Sequence, residues 1–313
     1  KSSLLAVQNA VGWIKAGITT ARDHGGNLPG MLALKEEIDA GRILGPRTLF
    51  RCDVKGKGPD EFRKAAEEVV AKGIAHDIAI STSGGFTKQT LYETTKTLEE
   101  VKAVVEVGHS HGLKVEGNAQ NPDACIMCCE AGVDYLGHGV VLNDDALEAI
   151  RKRDIYWIPI LYTFLASVEW DIKIPDSDIS MSGKSEPEKK AWLQKMRDQL
   201  KILERNVRKA HEMGIKILPG SDIAPPRTEG VIINPNNMVC ELDLLMKWSG
   251  MTPMETLLST TKYAAEALGM NDKIGTLEKG KIADIVICEG DPLKNLRQAL
   301  DPENIWLVMK EGN

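Results

Sequence analysis

Two short apolar runs in this chain end in side chains able to do chemistry. Ala131-Gly132-Val133-Asp134-Tyr135-Leu136-Gly137-His138-Gly139 closes on a histidine between two glycines, and Ile215-Lys216-Ile217-Leu218-Pro219-Gly220-Ser221-Asp222 closes on a carboxylate. Such runs read as buried strands, and α/β folds keep their chemistry at the C-terminal strand edge. An imidazole and a carboxylate on two strand tips can share one divalent ion. A lone histidine is more often a satisfied hydrogen-bonder than a ligand. The matched carboxylate is what raises His138 above that reading.

The elements that must carry these tips alternate along the chain. Helical periodicity covers Leu4–Ala16, Met31–Ala40, Pro59–Lys72, Leu98–His111 and Pro122–Ala131, with Asn143 or Asp144 capping a helix to Arg151. Between them lie apolar runs at Ile18–Asp23, Thr48–Cys52, Ile74–Thr82, Leu113–Asn118, the His138 run, Ile155–Tyr162 and the Asp222 run. Strands separated by crossover helices predict a parallel sheet, and seven of them favour a TIM-like (β/α) barrel over an open sheet. A long helix, Glu186–Met213, precedes the Asp222 run, and Thr252-Pro253-Met254-Glu255 is a capping box for a helix through Ala267. Residues 166–188 form the longest irregular stretch, which reads as a lid or binding loop or else as a mobile insertion. Past 270 the period changes, and Lys281–Ile287 and Ile305–Met309 read as short strands of an accessory element. The expected organisation is a barrel over 1–270 and an accessory β-sandwich remnant over 271–313.

Composition narrows the function class. A net charge of −6 and no basic run interleaved with aromatics argue against nucleic acid. No apolar run reaches the roughly eighteen residues of a membrane helix. The six cysteines include Cys125, Cys128 and Cys129, spaced for one buried helix face and without a second ligand pair at zinc-finger distance. That usage points to a reducing, cytoplasmic compartment. The expected partner is a small-molecule substrate, with self-association left open.

In order along nearly the whole chain, Ala16-Gly17-Ile18-Thr19-Thr20-Ala21-Arg22-Asp23, Gly45-Pro46-Arg47, Ser83-Gly84-Gly85, Ala131–Gly139, Gly220-Ser221-Asp222, Met251-Thr252-Pro253 and Gly280–Val286 carry a family likeness. The chain resembles the metal-dependent amidohydrolase superfamily, particularly its imidazolonepropionase-like and Xaa-Arg-dipeptidase-like branch. The resemblance implies a TIM-like barrel, here without its first strand, holding one or two divalent ions, zinc above all, at its C-terminal mouth. It also implies hydrolysis of amide, dipeptide or cyclic imide C–N bonds by a metal-activated water. His138 falls at the sixth-strand ligand and Asp222 at the eighth-strand aspartate.

Other ligand positions depart from the pattern. The fourth-strand lysine aligns with Ala79, the fifth-strand histidine with Asn118 and a histidine two residues later with Gln120. The first-strand His-x-His pair has no strand counterpart, since His109-Ser110-His111 sits at a helix end. An alanine offers no donor and an amide only a neutral oxygen, so this chain could equally be a metal-free binding module, pseudoenzyme or engineered scaffold. Strand parity turns Glu116 inward beneath Asn118, either paired with Arg22 or Lys216 or acting as a base of raised pKa. Asp222 and Glu116 are thus the candidate catalytic residues, and His138 and Asp222 the candidate metal ligands. Asn118, Gln120 and the loop residue Arg227 are candidates for binding substrate, and His24 is a weaker one at the mouth.

Overall fold

The computed structural model describes residues 2–23, 28–85, 89–169, 185–222 and 238–313. Six strands, β1 (Thr20–Asp23), β2 (Arg47–Asp53), β3 (Ala75–Ser81), β4 (Lys114–Ala119), β5 (Tyr135–His138) and β6 (Tyr156–Ile158), form one sheet in sequence order. Every neighbouring pair is parallel. Helices α1 (Ser2–Lys15), α2 (Leu28–Asp39), α3 (Pro59–Ala71), α4 (Leu98–Ser110), α5 (Pro122–Ala131) and α6 (Asp144–Arg153) alternate with the strands. The result is the curled parallel sheet of a TIM-like barrel.

Local chemistry sets these boundaries. Thr97 and Glu100 close a capping box on α4, Asn121 caps α5 ahead of Pro122, and Asn143 caps α6 through the Ala146 amide. Gly132, at φ 90°, ends α5 in the left-handed turn that a side chain would resist. The helix faces bury a continuous apolar layer against the outer side of the sheet, including Ile78, Ile80, Val115, Leu136 and Trp157. Cys125, Cys128 and Cys129 lie within it, on the buried face of α5 that their spacing predicted.

Beyond β6 the chain departs from the expected pattern. The run Ile155–Tyr162 is a strand only to Ile158, and Leu161–Glu169 forms helix α7. A short apolar run does not distinguish strand from buried helix, and Pro159 ends the ladder by removing a donor. The Ile215–Asp222 run makes a single parallel bridge, Ile217 to Trp157, rather than a full strand. Beyond it, Pro219 again lacks an amide to donate. Helix α8 (Glu186–Glu212) is as predicted, whereas α9 (Met238–Ser249) covers a stretch for which no element was expected. The helix expected from Thr252 to Ala267 divides at Thr261 (φ −120°, ψ −82°) into α10 (Pro253–Thr260) and α11 (Lys262–Ala267).

At the C-terminal end, β7 (Ile285–Cys288) and β8 (Ile305–Met309) pair antiparallel, joined through the short helix α12 (Leu296–Ala299). Arg47, at the start of β2, donates to Asp284 at 2.9 Å and Glu311 at 2.8 Å, fastening the hairpin to the sheet. Val286 and Ile305 approach Gly17 so closely that a side chain there would meet them at 3.3 and 3.4 Å. No helix among the described residues is long and apolar enough to cross a membrane.

Candidate active site

Registered residues of neighbouring parallel strands share a face, so Glu116 on β4 lies beside Ala79 on β3 and Tyr135 on β5. One layer higher, Asn118 lies beside Ser81 and Gly137. This is the inward set expected from strand parity. A Cβ added at Gly137 would meet Glu116 Oε1 at 2.5 Å, so glycine there leaves room for the carboxylate.

Below the mouth the barrel interior is ionic. Arg22 donates to both Asp77 and Glu116, and its guanidinium carbon lies 5.1 Å from the centre of the Tyr135 ring. Arg51 donates to Glu116 and to Asp53, each at 2.8 Å. Burial alone would push the Glu116 carboxyl up, but the charges of Arg22 and Arg51 hold it down to about 2. The expectation of a raised pKa at Glu116 is therefore reversed, because two guanidinium groups rather than apolar walls surround it. Burial dominates at Asp77, which rises to about 6 with Glu116 adding to the effect and Arg22 opposing it. Lys216, the alternative partner expected for Glu116, instead bonds Asp154 at 2.9 Å.

At the mouth, left-handed backbone occurs at His138 (φ 67°), the last residue of β5, at Ile160 (φ 59°), two residues past β6, and at Asp222 (φ 43°). A non-glycine residue there costs on the order of 1–3 kcal/mol and needs fixed surroundings. For His138 the turn has a consequence, since strict alternation after the inward Gly137 would send the imidazole outward. The His138 charge nevertheless acts on Glu116, lowering its pKa alongside the arginines. Trp157 Nε1 donates to the His138 carbonyl at 2.7 Å and fixes the turn. Asp222 is exposed. The two tips flank β6, so their backbones stand roughly 10 Å apart at ordinary strand spacing.

Asn118 and Gln120 border the same edge. The Asn118 carbonyl accepts from the Thr82 hydroxyl and amide at 3.0 and 2.9 Å. Gln120 is buried, and its Oε1 has no hydrogen-bond partner among the described residues. Arg227 and His24 lie outside the described residues. His109 bonds Asp134 at 2.9 Å, His111 bonds the Val107 carbonyl at 3.1 Å and His76 the Leu268 carbonyl at 3.0 Å, all structural roles. His76, on β3, is half-buried.

Sequence reasoning missed Arg51 and Glu241. Arg51 alternates inward with Leu49 and Asp53, a signal that parity could have found. Glu241 interrupts the apolar stripe of α9 one turn before Leu244 and Leu245. It is completely buried and accepts the amides of Leu161 at 3.0 Å and Tyr162 at 2.6 Å.

Among the described residues the donor set does not fit a tightly held divalent ion. Ala79 has no donor, Asn118 and Gln120 are neutral amides, and the inner carboxylates are already paired with arginines. Among the described residues no three His, Cys, Asp or Glu side chains converge as a metal group. A cleft of about 280 Å³ lies at the opposite, N-terminal face, lined by residues including Lys114, Asp134, Tyr135, Arg153 and Tyr156. It is remote from the strand tips, and Lys114 and His109 already pair with Asp134 at 2.8 and 2.9 Å.

Known proteins extend this picture. Imidazolonepropionase of Thermoplasma volcanium is 28% identical over 206 residues, covering 64% of this chain and 41% of its own length. Ochratoxinase of Aspergillus niger is 22% identical over 290 residues, covering 88% of this chain and 55% of its own. The chain thus spans about half the length of these curated relatives. Among solved structures, a putative prolidase from Bifidobacterium longum superposes with a TM-score of 0.79 at 28% identity, over 99% of this chain and 76% of that one. The profile of the amidohydrolase family matches residues 5–313. With the barrel and a match over nearly all its length in agreement, the chain belongs to the amidohydrolase family.

Proposed function

We propose that this chain is the barrel of a hydrolase that cleaves an amide-type C–N bond in a small molecule, such as a dipeptide, an N-acyl amino acid or a cyclic imide. The observation that supports the reading is the positive φ at His138, Ile160 and Asp222, on backbone segments that neighbour β6 on either side or follow it. Asp222 takes the proton of the attacking water and returns it to the amine nitrogen as the C–N bond breaks, His138 faces the scissile group, and Asn118 and Gln120 offer amide contacts to the substrate. Glu116 does not act as base, since at a pKa of about 2 it holds a proton too weakly near neutrality. Relatives generally use divalent metals, but the donors among the described residues do not fit one. Residues 1–270 form the working barrel and 271–313 the accessory element. The free cysteines suit a reducing cytoplasm.

Amine release from a panel of dipeptides, N-acyl amino acids and cyclic imides tests the reading, with Asp222→Asn as the comparison. Turnover should fall by about 100-fold or more in the variant with its melting temperature preserved. Amine release undiminished by the substitution, or absent from wild type, contradicts it. A second reading, a metal-free binding module, is favoured by Ala79, Asn118 and Gln120, and predicts saturable ligand binding without turnover.

A further inference from the structure

The mouth is held from behind by a carboxylate that takes no part in the chemistry proposed above. Glu241 projects from α9 into a fully buried position and accepts the Leu161 and Tyr162 amides at 3.0 and 2.6 Å. It also accepts the Gly220 amide. Leu161 and Tyr162 open α7, whose first amides have no partner within the helix. They directly follow Ile160, a β-branched residue in left-handed backbone, at φ 59°. Gly220 stands two residues before Asp222, the second strained tip, at φ 43°. One side chain therefore ties together the two chain segments that carry these turns.

Neighbouring contacts follow the same plan. Thr163 Oγ1 donates to the Ser221 carbonyl, and the Leu218 amide donates to the Trp157 carbonyl at 2.8 Å. A Cβ at Gly220 would meet Ile158 Cγ2 at 2.5 Å, so the loop lies flat against the end of β6. Burying a carboxylate is unfavourable unless its oxygens are saturated with donors, and three backbone amides do that here. Burial is the largest influence on its pKa, raising it to about 7 even with all three amides opposing. An apolar residue on the α9 stripe would cover the same surface without this penalty, but it would leave the three amides buried and unpaired.

We propose that Glu241 is a positioning residue: it fixes the Gly220–Asp222 turn against the start of α7 and so sets where the Asp222 carboxylate stands in the mouth. The catalytic part of this inference rests on the role given to Asp222 above, whereas the mechanical part does not. Amide hydrogen exchange at pH 8, where the carboxylate is mainly ionised, tests the mechanical part directly. In wild type the amides of Leu161, Tyr162 and Gly220 should be protected like those of β3 and β4. In Glu241→Gln, which keeps the volume but sets an amide NH2 against backbone donors, exchange across 161–162 and 220–222 should quicken by about tenfold or more. Exchange at Ile78 and Val115 should stay unchanged. Fast exchange at these amides in wild type overturns the proposal without any variant, as does uniform acceleration or no change in Glu241→Gln. With a turned-over amide in hand, Glu241→Gln should lower kcat while leaving KM within about twofold. A wild-type protein that cleaves nothing would end the hydrolase reading and leave the exchange result to decide this one.

Discussion

Single residues divide into those that carry charge inside the barrel and those that reach its mouth. Glu116 accepts from both Arg22 and Arg51, so Glu116→Gln should cost about 3–5 kcal/mol in urea unfolding at pH 7, since it leaves two buried guanidinium groups short of their counter-charge. Glu241 gives a pH signature of opposite sign. Its carboxyl rises from 4.5 to about 7 on folding, so the folded state binds the proton more tightly than the unfolded chain. The stability this provides is complete below pH 4.5 and is lost as pH rises to about 7, by about 3 kcal/mol. Glu241→Gln should flatten that part of the stability profile, measured as unfolding free energy against pH. The inward turn of Glu116 and its bond to Arg22 were legible in the sequence, because a period of two assigns faces and opposite charges on one face attract. The direction of its pKa was not, since it depends on Arg51 arriving from a third strand.

At the scale of elements, close approach of helix and strand decides which substitutions are tolerated. A Cβ on Gly117 of β4 would meet Cys128 Sγ of α5 at 2.5 Å, so Gly117→Ala should destabilise by about 1–3 kcal/mol through overpacking. Adding Cys128→Ala should recover part of that loss, a coupling that a double-mutant cycle in chemical denaturation reads directly. Elements with caps and clear periodicity were foreseen almost to the residue, as with α5 between Asn121 and Gly132. The short apolar runs were not, because Ile155–Tyr162 has a composition equally suited to strand and buried helix. Pro159 and the Glu241 carboxylate, which receives the first amides of α7, decide that outcome. The Asp222 run was expected as a strand for the same reason, and its pairing is confined to Ile217 because β6 itself is only three residues long.

Across the molecule, the parallel sheet brings distant strand tips to one edge, and the β7–β8 hairpin is fastened at the other end through Arg47. Arg47→Met removes its bonds to Asp284 and Glu311, and limited proteolysis should then cut within 289–304 at least about tenfold faster while the sheet stays intact. The order of elements and the barrel class were readable from alternation alone. Which charges fill the interior was not, because that depends on three-dimensional register rather than on sequence pattern. The account rests on His138 and Asp222 facing one cavity. A crystal structure with a phosphonate analogue of a cleaved dipeptide tests it most directly. The predicted result places the phosphonate between the two side chains, within about 4 Å of each. The account is contradicted if the analogue binds at the N-terminal cleft, or if the imidazole and carboxylate stand more than about 10 Å apart with packed hydrocarbon between them.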